Sequence, residues 1–192
     1  MIFNDMYDNA KGHLQIYKIF EDGRKELHYE DKNIICSGMG VTLAEAFAAD
    51  IDDPITDYLI TLFQVGTGGT PSLQVSSNGR LGTALTGSEY GDGSLSVLTH
   101  DLSASGTVYS NESFGEIPTA FIDKVAADKV RWRLIIDENA GNGKTLNEVG
   151  LFSFNPSKTS PTPTSYLCAY REFNQLSKTN EFALDIRWTI TF

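Results

Sequence analysis

The sequence has few basic residues, few cysteines and no long apolar run. Among its 192 residues, 15 lysines and arginines stand against 25 aspartates and glutamates, which gives a formal net charge of -10 and a pI near 4.7. The basic residues form no cluster that would offset the repulsion between this charge and a phosphate backbone. No apolar run approaches the roughly 20 residues that cross a bilayer, and the opening segment is acidic where a secretory signal is basic. We therefore expect neither a nucleic-acid nor a membrane partner.

Cysteine and histidine are too sparse for a disulfide framework or a zinc site. The two cysteines, Cys36 and Cys168, lie far apart in the sequence, and neither belongs to a CxxC pair. We expect them to behave as small buried hydrophobic residues in a reducing compartment. His13, His28 and His100 show no metal-ligand spacing.

No catalytic arrangement is recognisable among the serines and carboxylates. A GxSxG elbow is absent, and we interpret the acidic clusters as solvated loop charges, namely Asp50, Asp52 and Asp53, and Glu112 and Glu116. The oxygen-rich stretches at 50–57 and 137–142 lack the order of an EF-hand calcium loop. The sequence thus predicts no catalytic residue, no cofactor, no metal and no small-molecule substrate.

A Gly-Lys-Thr triplet follows the apolar run VRWRLII and raises the question of a phosphate-binding loop. Such a loop needs a second glycine five positions before Gly143, and Glu138 stands there. A carboxylate at that point would repel phosphate. We interpret Asn142-Gly143 as a hairpin turn in which Gly143 takes a positive φ and Lys144 is solvated.

Strand patterns dominate the chain. The runs 13–20 and 25–35 flank Asp22-Gly23 and predict an N-terminal hairpin. Residues 38–50 favour a helix that ends before Pro54. Its expected buried face is Val41, Ala44, Phe47 and Ala48.

The remaining runs predict strands separated by polar loops. An almost wholly apolar run at 57–66 is typical of a central strand that is covered on both faces. Residues 66–94 and 156–165 are rich in Gly, Ser, Thr or Pro and are expected to be loops. The run 121–137 should place one side of a strand in the core, with Val130, Trp132, Leu134 and Ile136 on that side.

The last eleven residues show the clearest alternation. One face is expected to be buried, with Phe182, Leu184, Ile186, Trp188, Ile190 and Phe192. The other face should be solvated, with Ala183, Asp185, Arg187, Thr189 and Thr191. A strand with this pattern belongs inside a sheet.

These patterns predict a mainly β fold, an antiparallel β-sandwich or barrel-like domain with one or two short helices and an N-terminal hairpin. We expect residues 1–35 to form an arm and hairpin that packs on, or is swapped with, a neighbouring copy. Residues 36–192 are expected to form the sandwich-like domain.

Four short motifs occur in a suggestive order: KNIICSGMGVTLAEAF (32–47), ITLFQVGTGGTP (60–71), TLNEVGLFSF (145–154) and AYREFNQLSKTNEFALDIRWTITF (169–192). The ordered set resembles tailed-bacteriophage virion structural proteins of the tail, collar and fibre-attachment type. The resemblance implies a non-enzymatic component that assembles in multiple copies in the virion, with other copies of itself and neighbouring virion proteins as partners. Within NEVGLF we expect packing by Val149, Leu151 and Phe152, and a structural Glu148 that accepts backbone N–H groups.

Three alternatives remain open at this point. The chain could be a capsid decoration or head-fibre protein, which also needs one attachment face and one solvated face. It could be a carbohydrate-binding β-sandwich of the receptor-binding kind, with Tyr90, Tyr109 and Phe114 stacking on sugar rings. A small hydrolase acting on the cell envelope would need an acid/base pair, which the sequence does not indicate.

Overall fold

The computed structural model describes residues 10–49, 55–66, 97–100, 112–153 and 167–192. Within these ranges the fold is mainly β, as predicted. The α-helix α1 spans Ser37–Ala48, and short 3-10 helices span Ile55–Tyr58 and Thr119–Phe121. The strands are β1 Lys11–Phe20, β2 Lys25–Ile35, β3 Ile60–Gly66, β4 Val97–His100, β5 Glu112–Glu116, β6 Ile122–Ala126, β7 Lys129–Ile136, β8 Thr145–Ser153, β9 Leu167–Ser177 and β10 Phe182–Thr191.

The strands form two antiparallel sheets that share β2. The strand order is β4-β5-β3-β8-β9-β2-β1-β10-β7-β6. The first part of β2 pairs with β1, whereas Ile34 and Ile35 pair with Tyr170 and Ala169 of β9. The chain therefore passes from one sheet to the other at the end of β2. Among the described strands the order is open, with β4 and β6 at its ends, which agrees with the predicted sandwich-like arrangement.

The predicted N-terminal hairpin is confirmed. Gly23 has φ 80°, and its N–H donates to the carbonyl of Phe20 at 2.9 Å. Only glycine takes that conformation without strain, so Gly23 closes the turn between β1 and β2. The hairpin lies near the middle of the strand order, because β10 flanks β1 and β9 flanks β2 in the same chain. The proposed division of the chain at residue 35 stays a prediction.

The core lies between the two sheets. Large side chains from both sheets share one buried cluster, including Phe63 and Leu151 from one sheet and Leu134 and Trp188 from the other. The indole N–H of Trp132 in β7 donates to a carbonyl in β3 at 2.9 Å, which ties the sheets together. The apolar run in β3 is buried from residue 62 to residue 66, as expected for a central strand. Burial of this apolar surface is the main stabilising contribution.

The helix forms where expected, but its buried face was predicted wrongly. Phe47 is 81% exposed, and Ala44 and Ala48 are also exposed. The side that faces the protein carries Met39 and Thr42 instead. The amphipathic pattern is weak over these twelve residues, so the contact of α1 with β9 decides which side is buried.

Gly38 brings α1 close to β9, and we expect Gly38→Ala to destabilise the protein. An added Cβ would lie 2.3 Å from the carbonyl oxygen of Leu167 and 2.9 Å from its carbon. Because both are backbone atoms, the helix must shift, at a cost of about 1–3 kcal/mol. The matched control is Gly40→Ala, where a Cβ meets no atom within 4 Å. Urea unfolding should show a loss for the first variant and no loss for the second, and equal stabilities would contradict the tight contact.

The run 121–137 is two strands rather than one. β6 and β7 form an antiparallel hairpin, with Ile122 opposite Trp132 and Ala126 opposite Lys129. The turn between them is Ala127-Asp128, and without a glycine, proline or asparagine beside it Asp128 alone is a weak turn signal. The predicted face of β7 is confirmed, with Trp132 and Leu134 buried.

The GNGK segment is not a hairpin turn. β7 pairs with β6 and β10, whereas β8 pairs with β3 and β9, so residues 137–144 cross from one sheet to the other. The positive φ of Gly143 is confirmed at 80°, and Gly141 also has a positive φ of 66°. A crossing between sheets needs more residues than a two-residue turn, and both glycines allow the reversal.

The terminal strand lies inside its sheet, between β1 and β7. Its predicted inner face is buried from Phe182 to Ile190, whereas Phe192 is 44% exposed. The N–H of Phe192 donates to the carbonyl of Asp128 at 2.9 Å. α1 ends at Ala48, two residues before the predicted end at residue 50. The predicted helix-breaking segment at 50–54 and the predicted loops at 66–94 and 156–165 lie, apart from Gly66, outside the described residues.

Candidate functional site

The side of the β2-β1-β10-β7-β6 sheet that points away from the core carries a continuous set of polar and charged side chains. We call this side the outer face. Side chains alternate between the two sides of a strand, and the even-numbered residues of β1, β7 and β10 point largely into the core. The odd-numbered residues of these strands therefore lie on the outer face. The pairing places one outer row as Glu30, Gln15, Arg187 and Arg133 across four strands. Residues far apart in sequence thereby become neighbours.

Asp185 lies at the centre of the outer face, and its exposure to solvent was predicted wrongly from the sequence pattern. We expected it to be solvated, yet its side chain is only 1% exposed. Lys25 Nζ donates to its Oδ2 at 3.1 Å, Arg133 Nε donates to its Oδ1 at 2.9 Å, and Arg187 Nη2 donates to Oδ2 at 2.9 Å. The carboxylate therefore lies beneath three cations from three different strands.

Electrostatics keep this carboxylate ionised. Burial alone would raise the pKa of Asp185, but the hydrogen bonds from Arg133, Arg187 and Lys25 outweigh it and hold the pKa below its ordinary value of 3.8. The surrounding cations are partly solvated, with side chains 33–41% exposed. The arrangement fixes three long side chains in place around one anion.

Aromatic rings lie beside the same three cations, Lys25, Arg133 and Arg187. Lys25 Nζ lies 3.8 Å from the centroid of the Tyr17 ring, and the guanidinium of Arg187 lies 5.3 Å from it. Arg133 lies 5.4 Å from the ring of Phe121. Cations at these distances interact favourably with the faces of the rings. The centre of the outer face is thus an ordered patch of arginine, lysine and tyrosine.

One ion pair and one histidine–carboxylate contact lie toward the edges of the outer face. Arg131 donates to Asp123 at 2.8 Å, and His13 Nε2 lies 3.1 Å from Glu30. Gln15 also donates to Glu30, at 2.8 Å. All these groups are substantially exposed, so each pair contributes little to stability.

Counted over the five strands, the outer face carries more positive than negative charge. The pairing puts seven lysines and arginines on this side, namely Lys11, Lys25, Lys32, Lys129, Arg131, Arg133 and Arg187. It puts three carboxylates there, namely Glu30, Asp123 and Asp185. The composition had indicated no basic cluster, because these residues are spread along the sequence and meet only through strand pairing.

A second polar site lies where residues 137–144 meet the β9–β10 turn. The Lys178 side chain is buried, and its Nζ donates to the carbonyls of Glu138 at 3.0 Å and Thr179 at 2.7 Å and to the amide oxygen of Asn142 at 3.2 Å. Burial lowers the pKa of Lys178 to about 8, although the negative charges of Asp137 and Glu138 oppose the fall. The ammonium hydrogens thus bind protein oxygens and hold the crossing in place.

An open cleft of about 530 Å³ lies over this second site. The backbone of Gly143 donates to the carbonyl of Lys178 at 3.0 Å, and Lys178 N–H donates back to Lys144 at 2.9 Å. The GNGK segment is therefore joined to the next turn by its backbone. A phosphate-binding loop uses its backbone N–H groups for the ligand, whereas the N–H groups of Gly143 and Lys144 donate here to protein carbonyls.

Glu148 and the two cysteines are buried among other protein groups. The hydroxyl of Tyr170 donates to Glu148 Oε2 at 3.2 Å in the core, and burial together with the charge of Glu148 raises the pKa of Tyr170. Cys36 and Cys168 are both buried, as predicted. Burial raises the pKa of Cys36 to about 12 and that of Cys168 to about 11, so both stay protonated and unreactive. Thr42 Oγ1 lies 3.4 Å from the Cys168 sulfur.

The packing predicted for NEVGLF is confirmed, since Val149, Leu151 and Phe152 are buried in β8.

His28 Nε2 in β2 lies 3.0 Å from the carbonyl of Asn174 in β9, so this histidine forms a contact between two strands. In the part of the chain that the structure describes, no three His, Cys, Asp or Glu side chains are grouped as metal ligands would be.

The remaining candidate residues of the sequence analysis lie in β4 or β5 or outside the described residues. Glu112 and Glu116 lie at the two ends of β5, in a strand rather than the expected loop. His100 is the last residue of β4, opposite Glu112. The acidic cluster of Asp50, Asp52 and Asp53 lies outside the described residues. So do Tyr90 and Tyr109, the two tyrosines considered for sugar binding. Phe114 lies in β5, and its side chain is not described.

Comparisons with known proteins give no match. No family model, no curated protein and no solved structure is significantly similar to this chain. None of the helices within the described ranges is long and apolar enough to cross a membrane.

Proposed function

We propose that the chain is a non-enzymatic structural component of a tailed phage particle, a tail, neck/collar or fibre-attachment protein that assembles in multiple copies. The observation that carries the proposal is the outer face, an ordered charged surface spread over five strands. The ordered motifs between residues 32 and 192 add to it through their resemblance to virion proteins. A position on the capsid surface would use the same face, so capsid decoration is the alternative within this class.

The way polar groups are buried also supports a structural role. Asp185, Lys178 and Glu148 are each bonded to protein groups that hold strands or turns together. A catalytic carboxylate or lysine needs a position from which it can reach a substrate atom. These three groups instead contribute to the order of the sheets.

The test is whether the protein is present in intact particles. Particles of the virus that encodes the chain are purified by density gradient and digested, and peptides of this protein are quantified against those of the major capsid protein. A fixed ratio of several copies per particle is expected. Labelling with an antibody in electron micrographs then separates the tail and neck from the capsid surface. Recovery of the protein in the infected-cell lysate but not in particles would overturn the proposal.

A further inference from the structure

Lys178 and Asn142 are in direct contact, although they lie 36 residues apart in the sequence. Lys178 follows β9, and Asn142 belongs to the crossing between β7 and β8. The distance from Lys178 Nζ to Asn142 Oδ1 is 3.2 Å, and the lysine is only 1% exposed. A primary amine and a side-chain carboxamide from two segments are thus held together, largely away from bulk solvent.

The surrounding groups hold both partners in position. Asn142 Nδ2 donates to the carbonyl of Glu138 at 2.9 Å, while Oδ1 accepts from Lys178, so the carboxamide is held at both ends. Lys178 Nζ donates to two further carbonyls, those of Thr179 at 2.7 Å and Glu138 at 3.0 Å. The buried ring of Phe182 lies 5.2 Å from Nζ. Reacting groups that are fixed close together react as though they were highly concentrated.

The buried lysine can lose a proton more readily than a solvated one. Burial lowers the pKa of Lys178 to about 8, so at neutral pH a larger share of it is the uncharged amine. Of its three hydrogen bonds, the one to Asn142 is the longest. Loss of that proton leaves two N–H groups for the carbonyls of Thr179 and Glu138, and a lone pair on the side of the carboxamide. A desolvated, uncharged lysine is a nucleophile.

We propose that Lys178 and Asn142 form an intramolecular isopeptide bond. Lys178 Nζ loses one proton to the water of the cleft and attacks Asn142 Cγ, which is one bond away from the oxygen that it contacts. A bond forms between Nζ and Cγ, the bond between Cγ and Nδ2 breaks, and Nδ2 leaves as ammonia with a second proton from Nζ. One amide replaces another, so the reaction needs no oxidant, reductant or further reactant. The open cleft of about 530 Å³ lets the ammonia leave.

The bond joins two connections that both pass between the sheets. Residues 137–144 lead from β7 to β8, and the turn that contains Lys178 leads from β9, in the sheet of β8, to β10, in the sheet of β7. A covalent link between these connections fixes one end of the sandwich. It also closes a loop in the unfolded chain and lowers its entropy, as a disulfide does. The inference goes beyond the proposed function and does not depend on it.

The test is mass spectrometry of the purified wild-type chain. The intact protein should be lighter than its sequence mass by one ammonia. Trypsin cleaves after lysine and arginine but not after a linked lysine, so cleavage after Lys178 should be lost. Residues 134–144 and 172–187 should then appear as one branched peptide.

Variants assign the ammonia loss to the two partners. Lys178→Arg and Asn142→Ala should both lack the loss and the branched peptide. The matched control is Asn139→Ala, because this asparagine lines the same cleft but its amide donates to Asp137 at 3.3 Å. The control should keep the link. In thermal unfolding, the two unlinked variants should melt at a lower temperature than the control.

A second reaction at the same asparagine must be distinguished. The backbone nitrogen of Gly143 can attack Asn142 Cγ and form a succinimide ring, which also releases one ammonia. In the folded protein the N–H of Gly143 donates to the carbonyl of Lys178 at 3.0 Å, which holds it away from that reaction. The two products have the same mass, but the ring leaves the chain cleavable after Lys178 and gives no branched peptide.

Two results would overturn the inference. One is wild type at its full sequence mass with normal cleavage after Lys178. The other is an ammonia loss that persists in Lys178→Arg, since the loss then belongs to the succinimide ring or to another asparagine. Circular dichroism verifies the folding of each variant. If Lys178→Arg does not fold, Asn142→Ala and the branched peptide of wild type decide the outcome.

Discussion

Removal of residues 187–192 is expected to abolish cooperative folding. Residues 187–191 form the second half of β10, which pairs with β1 on one side and β7 on the other, and Phe192 follows the strand. The deletion takes away the fully buried Trp188 and Ile190. Loss of a buried tryptophan costs about 3–5 kcal/mol and loss of a buried isoleucine about 2–5 kcal/mol. Together these approach the 5–15 kcal/mol by which a typical domain is stable.

The deletion also leaves hydrogen-bonding groups of two strands without partners and removes Arg187 from Asp185. The matched control is removal of Phe192 alone, which is partly exposed and lies beyond the strand. Thermal unfolding followed by circular dichroism should show a cooperative transition for wild type and the control, and none for the six-residue deletion. A soluble deletion variant that melts cooperatively would contradict the central place of β10.

Alternation along the sequence predicted the interior of the fold well. Where one face of a strand packs on the core, the period of two residues is imposed by burial, and Leu184, Ile186 and Trp188 follow it. The Asp22-Gly23 turn was equally predictable, because the turn requires a residue that tolerates a positive φ. Local chemistry thus determines these features.

Features that depend on tertiary contacts were missed. The buried side of α1 depends on β9, to which Gly38 lies close, and nothing within the helix sequence signals that contact. The crossing at residues 137–144 depends on which strands pair, and a glycine-rich turn is compatible with both a hairpin and a crossing. Lys178 was not singled out either, because a lysine in a turn is ordinarily solvated.

Asp185 shows the same limit most clearly. Alternation assigned it correctly to the outer face, but the assumption that this face is solvated was wrong at this position. Its partners come from β2, from β7 and from its own strand, so only Arg187, two residues away, was a local signal. Long cationic side chains on the neighbouring strands cover the carboxylate, as such side chains can when their stems lie along a surface.

Asp185→Asn is expected to destabilise the protein by about 2–4 kcal/mol at neutral pH. The amide keeps the size of the side chain but removes the anion, so Lys25, Arg133 and Arg187 converge without compensation. Removing one partner of a buried ion pair costs about 3–5 kcal/mol, and partial exposure of the three cations reduces that figure because they can turn toward water. Asp123→Asn is the control, since its pair with Arg131 is exposed on both sides and should contribute less than about 1 kcal/mol.

The dependence on pH separates the charge of Asp185 from its packing. Its folded-state pKa lies below the ordinary value of 3.8, so its stabilising contribution is present above that pH and is lost as the pH falls through the folded-state pKa. The difference in unfolding free energy between wild type and Asp185→Asn should therefore be constant near neutral pH and should shrink at pH values below 3.8. Urea titrations at several pH values measure it. A difference that persists unchanged in acid would show that shape, rather than the three cations around the carboxylate, makes Asp185 important.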